Sequence, residues 1–163
     1  MASRLQHPAV QRVRAALRAK GSDAEVIELA ETARTAEDAA RALEVAVGAI
    51  VKSLVFLIDG APVMALIAGD RRCDTRALAP AFGRSGLVMR ADAGQVRAAT
   101  GFVIGGVAPL GHPAPLPTVI DDSLGRFETV YAAAGHPFCV FRTSALELSL
   151  LTAGPLVRGL SDG

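Results

Sequence analysis

Lys52 is an ammonium set within an apolar run. On the two-residue alternation of AIVKSLVFLI it shares a face with Ile50, Leu54 and Phe56. Burying an unpaired charge is costly, so this side chain must reach a partner, a cavity or the end of the sheet. About fifty residues downstream, residues 100–117 read TGFVIGGVAPLGHPAPLP. Four glycines (Gly101, Gly105, Gly106, Gly111) and four prolines (Pro109, Pro113, Pro115, Pro117) exclude a regular helix or a central strand, and predict a shaped loop. Gly105 and Gly106 accept positive φ and allow a ligand to approach the main chain, while Pro109 stiffens the chain just beyond them. Successive N–H groups in such a turn converge into a concavity suited to a carboxylate, a phosphate or a developing oxyanion.

Other chemistries find less support. The histidines are dispersed: His7 beside a proline near the N-terminus, His112 in the glycine loop, His136 in an expected turn. Cys139 lies three residues from His136, yet a thiol in a strand reads as a small core residue, and no third group completes a nucleophilic triad. Three scattered histidines and two distant cysteines, Cys73 and Cys139, have no metal-ligand spacing, so neither metal nor cofactor is expected. GFVIGG lacks the GxGxxG spacing of a dinucleotide fingerprint, and no Walker motif is present.

The elements that must position these groups are legible. Pro8 opens a helix to about Lys20, with Val10, Val13 and Leu17 as its apolar stripe and Gly21 at its end. A strand at residues 26–29 comes next, then a helix begun by Thr35 and Asp38. Two apolar runs flank Asp59-Gly60 and predict a hairpin of residues 50–58 and 63–68, covered on both faces. Asp74 caps a helix through 78–82, a strand covers 87–89, and Asp92 with Gln95 caps a helix ending at Gly101. Strands are expected at 118–120, 129–133 and 138–141, the last two joined by a Gly135-His136-Pro137 turn. Ser144 with Glu147 caps a final helix. The expected architecture is an α/β (α+β) fold: a mixed, mainly antiparallel central sheet flanked by helices, in one domain spanning 1–163.

Composition narrows the class. With 17 Lys+Arg against 16 Asp+Glu, no global field recruits nucleic acid, and no recognition helix for duplex DNA is evident. Seven aromatics make a poor base-stacking platform. Two unpaired-looking cysteines and no long apolar span lead to the expectation of a reduced, cytoplasmic protein that does not engage a membrane. The basic N-terminal segment superficially resembles a presequence, but its apolar stripe reads better as an amphipathic first helix.

IVKSLVF with its DG hairpin, followed by TGFVIGGVAPLGH, resembles the YbaK/ProX family of aminoacyl-tRNA deacylases, which includes the editing domain inserted in bacterial prolyl-tRNA synthetases. TAEDAARAL and VYAAAGHPFCVF extend the resemblance over nearly the whole chain. It implies a freestanding hydrolase that cleaves the ester of a mischarged aminoacyl-tRNA, with the proline tRNA and a small noncognate amino acid as the expected pair. The alternative is a nonhydrolytic module that binds a tRNA end or an aminoacyl-adenylate in association with a synthetase.

By motif, Lys52 matches the functional lysine of the family. Gly105, Gly106, Val107 and Pro109 fall in its GxxxP loop, whose amides hold the aminoacyl carbonyl and terminal ribose. His136 matches a polar position near the amino-acid pocket, and Val47 and Leu54, with Val45, are candidate pocket walls. Glu44 departs from the pattern, since many relatives have glycine there. The implied partner is the 3′ acceptor end of aminoacyl-tRNA, with prolyl-tRNA synthetase or elongation factor as possible carriers. An activated ester needs little more than a positioned water and oxyanion donors, each worth about 3–4 kcal/mol.

Overall fold

The computed structural model describes residues 3–163. Helix α1 (Pro8–Ala19) starts on Pro8 and is capped by His7, whose Nδ1 accepts the Ala9 N–H at 3.1 Å. Its buried stripe of Val10, Val13 and Leu17 packs on the main core. Strand β1 (Val26–Glu28) precedes α2 (Ala36–Leu43), where the Thr35 hydroxyl accepts the Asp38 N–H at 3.1 Å. Strands β2 (Val51–Ile58) and β3 (Ala61–Ala68) form the hairpin anticipated from the sequence. Its turn is closed by Asp59 and Gly60, both at positive φ (49° and 83°), which matches the right-handed twist of the flanking strands. From Val63 to Ala68, β3 is buried completely, as a strand covered on both faces must be.

The chain continues through β4 (Arg72–Cys73), α3 (Thr75–Ala81), β5 (Val88–Arg90), α4 (Ala93–Thr100) and β6 (Thr118–Asp121). It ends with β7 (Val130–His136), β8 (Cys139–Thr143), α5 (Ala145–Thr152), β9 (Leu156–Val157) and β10 (Ser161–Asp162). The five-stranded sheet has the order β5-β2-β3-β6-β9, antiparallel except where β6 joins β3 and β9 joins β6 in parallel. A second sheet has the order β1-β8-β7, and β10 pairs with β4. The architecture is therefore mixed and mainly antiparallel, with helices on its faces. One face of the five-stranded sheet buries Val55, Met64, Leu66 and Ile120 with α1 and α5, and the other buries Phe56, Ile67 and Val119 with Leu78 of α3.

Two departures from the sequence reading have local causes. The turn expected at Gly135-His136-Pro137 lies later: Gly135, at φ 94°, sits in an irregularity between Ala133 and His136, so pairing resumes at His136↔Cys139. The two-residue strands β4, β9 and β10 carry no alternation to detect. One of them, β10, is tied to the main sheet by the buried carboxylate of Asp121, which accepts from Ala68 N–H (3.1 Å), Ser123 N–H (3.0 Å) and the Ser161 hydroxyl (2.7 Å).

Glu44, where many relatives carry glycine, ends α2 in the left-handed conformation (φ 57°, ψ 47°), its side chain exposed. A residue with a Cβ is strained there. Glu44→Gly should raise the unfolding free energy by about 0.5–1 kcal/mol, the strain relieved less the extra chain entropy of glycine. Denaturant midpoints of the two proteins test this.

Candidate active site

The site begins with a fork in the sheet. Gly69 N–H donates to Ile50 O (2.7 Å) on one side of β2, and Ala91 N–H donates to Val55 O (3.2 Å) on the other. These two bonds fix the parity: Ile50, Lys52 and Leu54 direct their main-chain groups to β3, whereas Val51, Ser53 and Val55 direct theirs outward. On that outward edge β5 pairs only with residues 56–58, and β7 packs alongside with its one pairing a parallel bridge between Tyr131 and Ile50, the residue before β2. Between the two, no strand among the described residues pairs with the outward edge of Ser53, which is paired with Leu66 of β3 on its other side. A cavity of about 380 Å³ opens at this gap, walled by Lys52, Ser53 and Leu54 of β2, Ala133 of β7, Val140 of β8 and the start of α2. The Ser53 hydroxyl is buried there without a hydrogen-bond partner among the described residues.

The glycine loop forms the opposite wall through Ile104, Gly105 and Val107. Its tip is a tight turn in which Gly106 N–H donates to Val103 O at 3.0 Å and Gly105 adopts φ 98°. Gly106 also permits close packing: a Cβ there would lie 2.9 Å from His136 N and 3.0 Å from Gly135 C, both main-chain atoms of β7. The amides of Gly105 and Val107 have no acceptor among the described residues. At its base the loop is held by Phe102, which is buried in the core. Arg12 of α1 donates to Gly101 O at 2.6 Å with its guanidinium 5.0 Å from the Phe102 ring. The His112 ring nitrogen bonds to Ala108 O at 2.8 Å, and burial pushes its pKa down, so the neutral ring is favoured.

Lys52 extends along the side of β2 away from Ser53, and its ammonium donates to the Arg71 carbonyl. Burial holds its pKa below the ordinary lysine value; Glu37 and Asp70 oppose that shift, and Arg90 adds to it. Arg34, Lys52 and Arg90 thus place three cations on the cavity wall against one acid, Glu37. Such a wall favours an anion or the negative end of a polarised carbonyl.

Of the residues singled out in the sequence, Lys52, Leu54, Gly105 and Val107 meet at this cavity. Gly106 and Pro109 are buried behind the loop's exposed tip. Val47 and His136 are not on the cavity wall. Val47 lines the adjoining groove, on the far side of Lys52. His136 turns away, its ring 5.2 Å from that of His7 and 5.9 Å from that of Phe138, and its Nδ1 accepts the Phe138 N–H. The same bulge that carries β7 through Gly135 sets this orientation. Cys139 is fully buried and its thiol is pushed up to about 11 by desolvation, so it is neutral and inaccessible at physiological pH. Among the described residues no cluster of three or more metal-ligating side chains occurs, and no helix is long and apolar enough to cross a membrane.

Sequence reasoning did not single out Arg34, Ser53 or Arg90. Only the small hydroxyl immediately after the embedded lysine, inside an otherwise apolar strand, offered a signal. Arg12, from the basic first helix, anchors the loop.

Comparison with known proteins identifies the family. Residues 30–150 match the family model described as "Aminoacyl-tRNA editing domain". A solved structure described as a candidate trans-editing enzyme for prolyl tRNA synthetase superposes with a TM-score of 0.87 at 39% identity, over 96% of this chain and 98% of that one. YwhH of Bacillus subtilis is 34% identical over 126 residues, 77% of this chain and 76% of its own length. EbsC of Enterococcus faecalis, named as a candidate Cys-tRNA(Pro)/Cys-tRNA(Cys) deacylase, is 30% identical over 102 residues, 62% of each chain. With a matching family model that spans both Lys52 and the glycine loop, the chain belongs to the aminoacyl-tRNA editing domain family.

Proposed function

We propose that this chain is an aminoacyl-tRNA deacylase acting in trans, as a single cytoplasmic domain, on proline tRNA that carries a small noncognate amino acid. The observation that carries the reading is the meeting of Lys52 and the open amides of Gly105 and Val107 across one small cavity. Support for the choice of tRNA comes from relatives described as acting with prolyl tRNA synthetase or on Cys-tRNA(Pro).

In this mechanism the amide of Gly105 or Val107 receives the ester carbonyl oxygen as it becomes an oxyanion, and water attacks the carbonyl carbon. The ester C–O bond breaks as one proton of the attacking water passes to the departing ribose oxygen; the other is released to solvent, so the amino acid departs as its carboxylate. Lys52 anchors the terminal nucleotide and lends positive potential to the developing charge. Gly106 and Pro109 shape the loop. No protein nucleophile is required, because the ester is already activated. Selectivity follows from size: Ala39, Leu54, Ala133 and Val140 leave an apolar space at the small end of the range for ligand pockets, and larger acyl groups are excluded from it. Delivery of the tRNA by prolyl-tRNA synthetase or elongation factor belongs to the same proposal.

Release of labelled amino acid from proline tRNA charged with alanine, cysteine, serine, threonine or proline tests the reading directly. Wild type should hydrolyse a small noncognate ester selectively, and Lys52→Ala should lose at least about a hundredfold, comparable to removing one oxyanion donor. A folded wild-type protein that binds such a tRNA but cleaves none of the esters would be a binding module instead.

Gly105→Ala and Gly106→Ala should both impair turnover, for different reasons. The first strains a turn at φ 98°, and the second drives the loop away from the β7 backbone. The N–H of residue 106, which donates to Val103 O, should therefore lose more amide protection in Gly106→Ala. Cys139→Ser should retain most of the turnover and lose about 1–3 kcal/mol of stability, because a buried hydroxyl replaces a thiol. A hundredfold loss of rate in folded Cys139→Ser would restore a role for the thiol.

A further inference from the structure

Beyond Lys52 the cavity continues into a second, more open groove of about 1010 Å³ on the other face of β2. Glu37, Lys52, Leu54, Gly69 and Arg90 belong to both walls, so the two spaces meet at the lysine. The groove also carries Arg71 and Arg72 from the β3–β4 connection. These cations are short of partners. The Arg71 Nε is buried with no acceptor among the described residues, and Arg71, Arg72 and Arg90 take part in none of the ion pairs found there. Of the acids along the groove, Asp70 is held in a two-pronged pair by Arg126 at 2.7 and 2.9 Å, Asp162 lies within the field of Arg76, and Glu37 lines the junction within the field of Lys52.

We infer that this groove binds the phosphodiester backbone of the nucleotides preceding the terminal adenosine, with Arg71 and Arg72 as its phosphate contacts and Lys52 at the junction with the ester site. The inference rests on the deacylase reading above. A terminal nucleoside seated in the cavity has a chain that must leave it, and the groove is a continuous, cation-lined exit. Guanidinium groups suit a phosphodiester because their planar donors match its paired oxygens. Such a groove reads charge and backbone geometry, with no aromatic platform needed. This fits a chain whose net charge is close to zero, since the attraction is local.

The test compares two stable amide analogues: alanylamido-adenosine, which lacks phosphates, and the tetranucleotide ACCA ending in the same alanylamide. Binding of each is measured between about 50 and about 200 mM salt. For wild type, the tetranucleotide should bind more tightly than the nucleoside and weaken steeply with salt. Arg71→Gln/Arg72→Gln should flatten the log–log salt slope by about 1.4, at about 0.7 per phosphate contact to a single strand. Arg72→Gln alone, at an exposed position where folding is not at stake, should flatten it by about 0.7. Unchanged slopes in both variants, with the nucleoside analogue still bound by wild type, would overturn the groove assignment alone. Failure of wild type to bind the nucleoside analogue would overturn the deacylase reading and the groove with it.

Discussion

The outer edge of β2 has one row of main-chain hydrogen-bonding groups and two strands that each satisfy part of it. β5 takes one end, β7 touches the other, and Ser53 is left between them. Main-chain polar groups seldom remain unpaired in a protein interior, so a gap of this kind must face solvent or a ligand. The fork therefore creates the cavity, and also explains why the lysine of that strand lies beside it. Had β5 run two residues further along β2, its backbone would have filled the space that the glycine loop now faces.

The loop can be open at its tip because it is fixed at its base. Phe102 is buried in the core, Arg12 holds the Gly101 carbonyl, and the neutral ring of His112 holds the Ala108 carbonyl. With those contacts in place, the amides of Gly105 and Val107 are oriented before any ligand arrives. Preorganised donors gain over water because they need not reorganise when charge develops. The lysine is held in place in the same way: Lys52 bonds to a main-chain carbonyl and forms no ion pair with a carboxylate among the described residues.

Most of the local structure was legible in the sequence because its causes are local. Caps at Thr35, Asp74, Asp92 and Ser144 and the Asp59-Gly60 turn each depend on residues within a few positions. Lys52 and the glycine loop stood out because each breaks the pattern around it. The fork was not legible, since it depends on which strand pairs with the far edge of β2. Arg34, Ser53 and Arg90 acquire meaning only from that pairing, and they escaped notice. His136 was read as part of a turn and, by the resemblance, as near the pocket; in the fold it lies in β7 just after the irregularity at Gly135 and off the cavity wall, a register shift that no local pattern announces.

The fork also has a consequence for how the protein is made. Its walls come from the start of α2, from β2, from Arg90, from Ile104, Gly105 and Val107, and from Tyr131, Ala133 and Val140, so the cavity closes only when segments roughly a hundred residues apart in sequence have docked. Contacts of such long range carry a large loop-closure cost and form late. A chain still emerging from the ribosome can hold the β2–β3 hairpin and Lys52, but it has no β7 and hence no enclosed site. Competence to bind a tRNA end in this cavity is thus confined to the finished fold, and a nascent or partly unfolded copy cannot reproduce it.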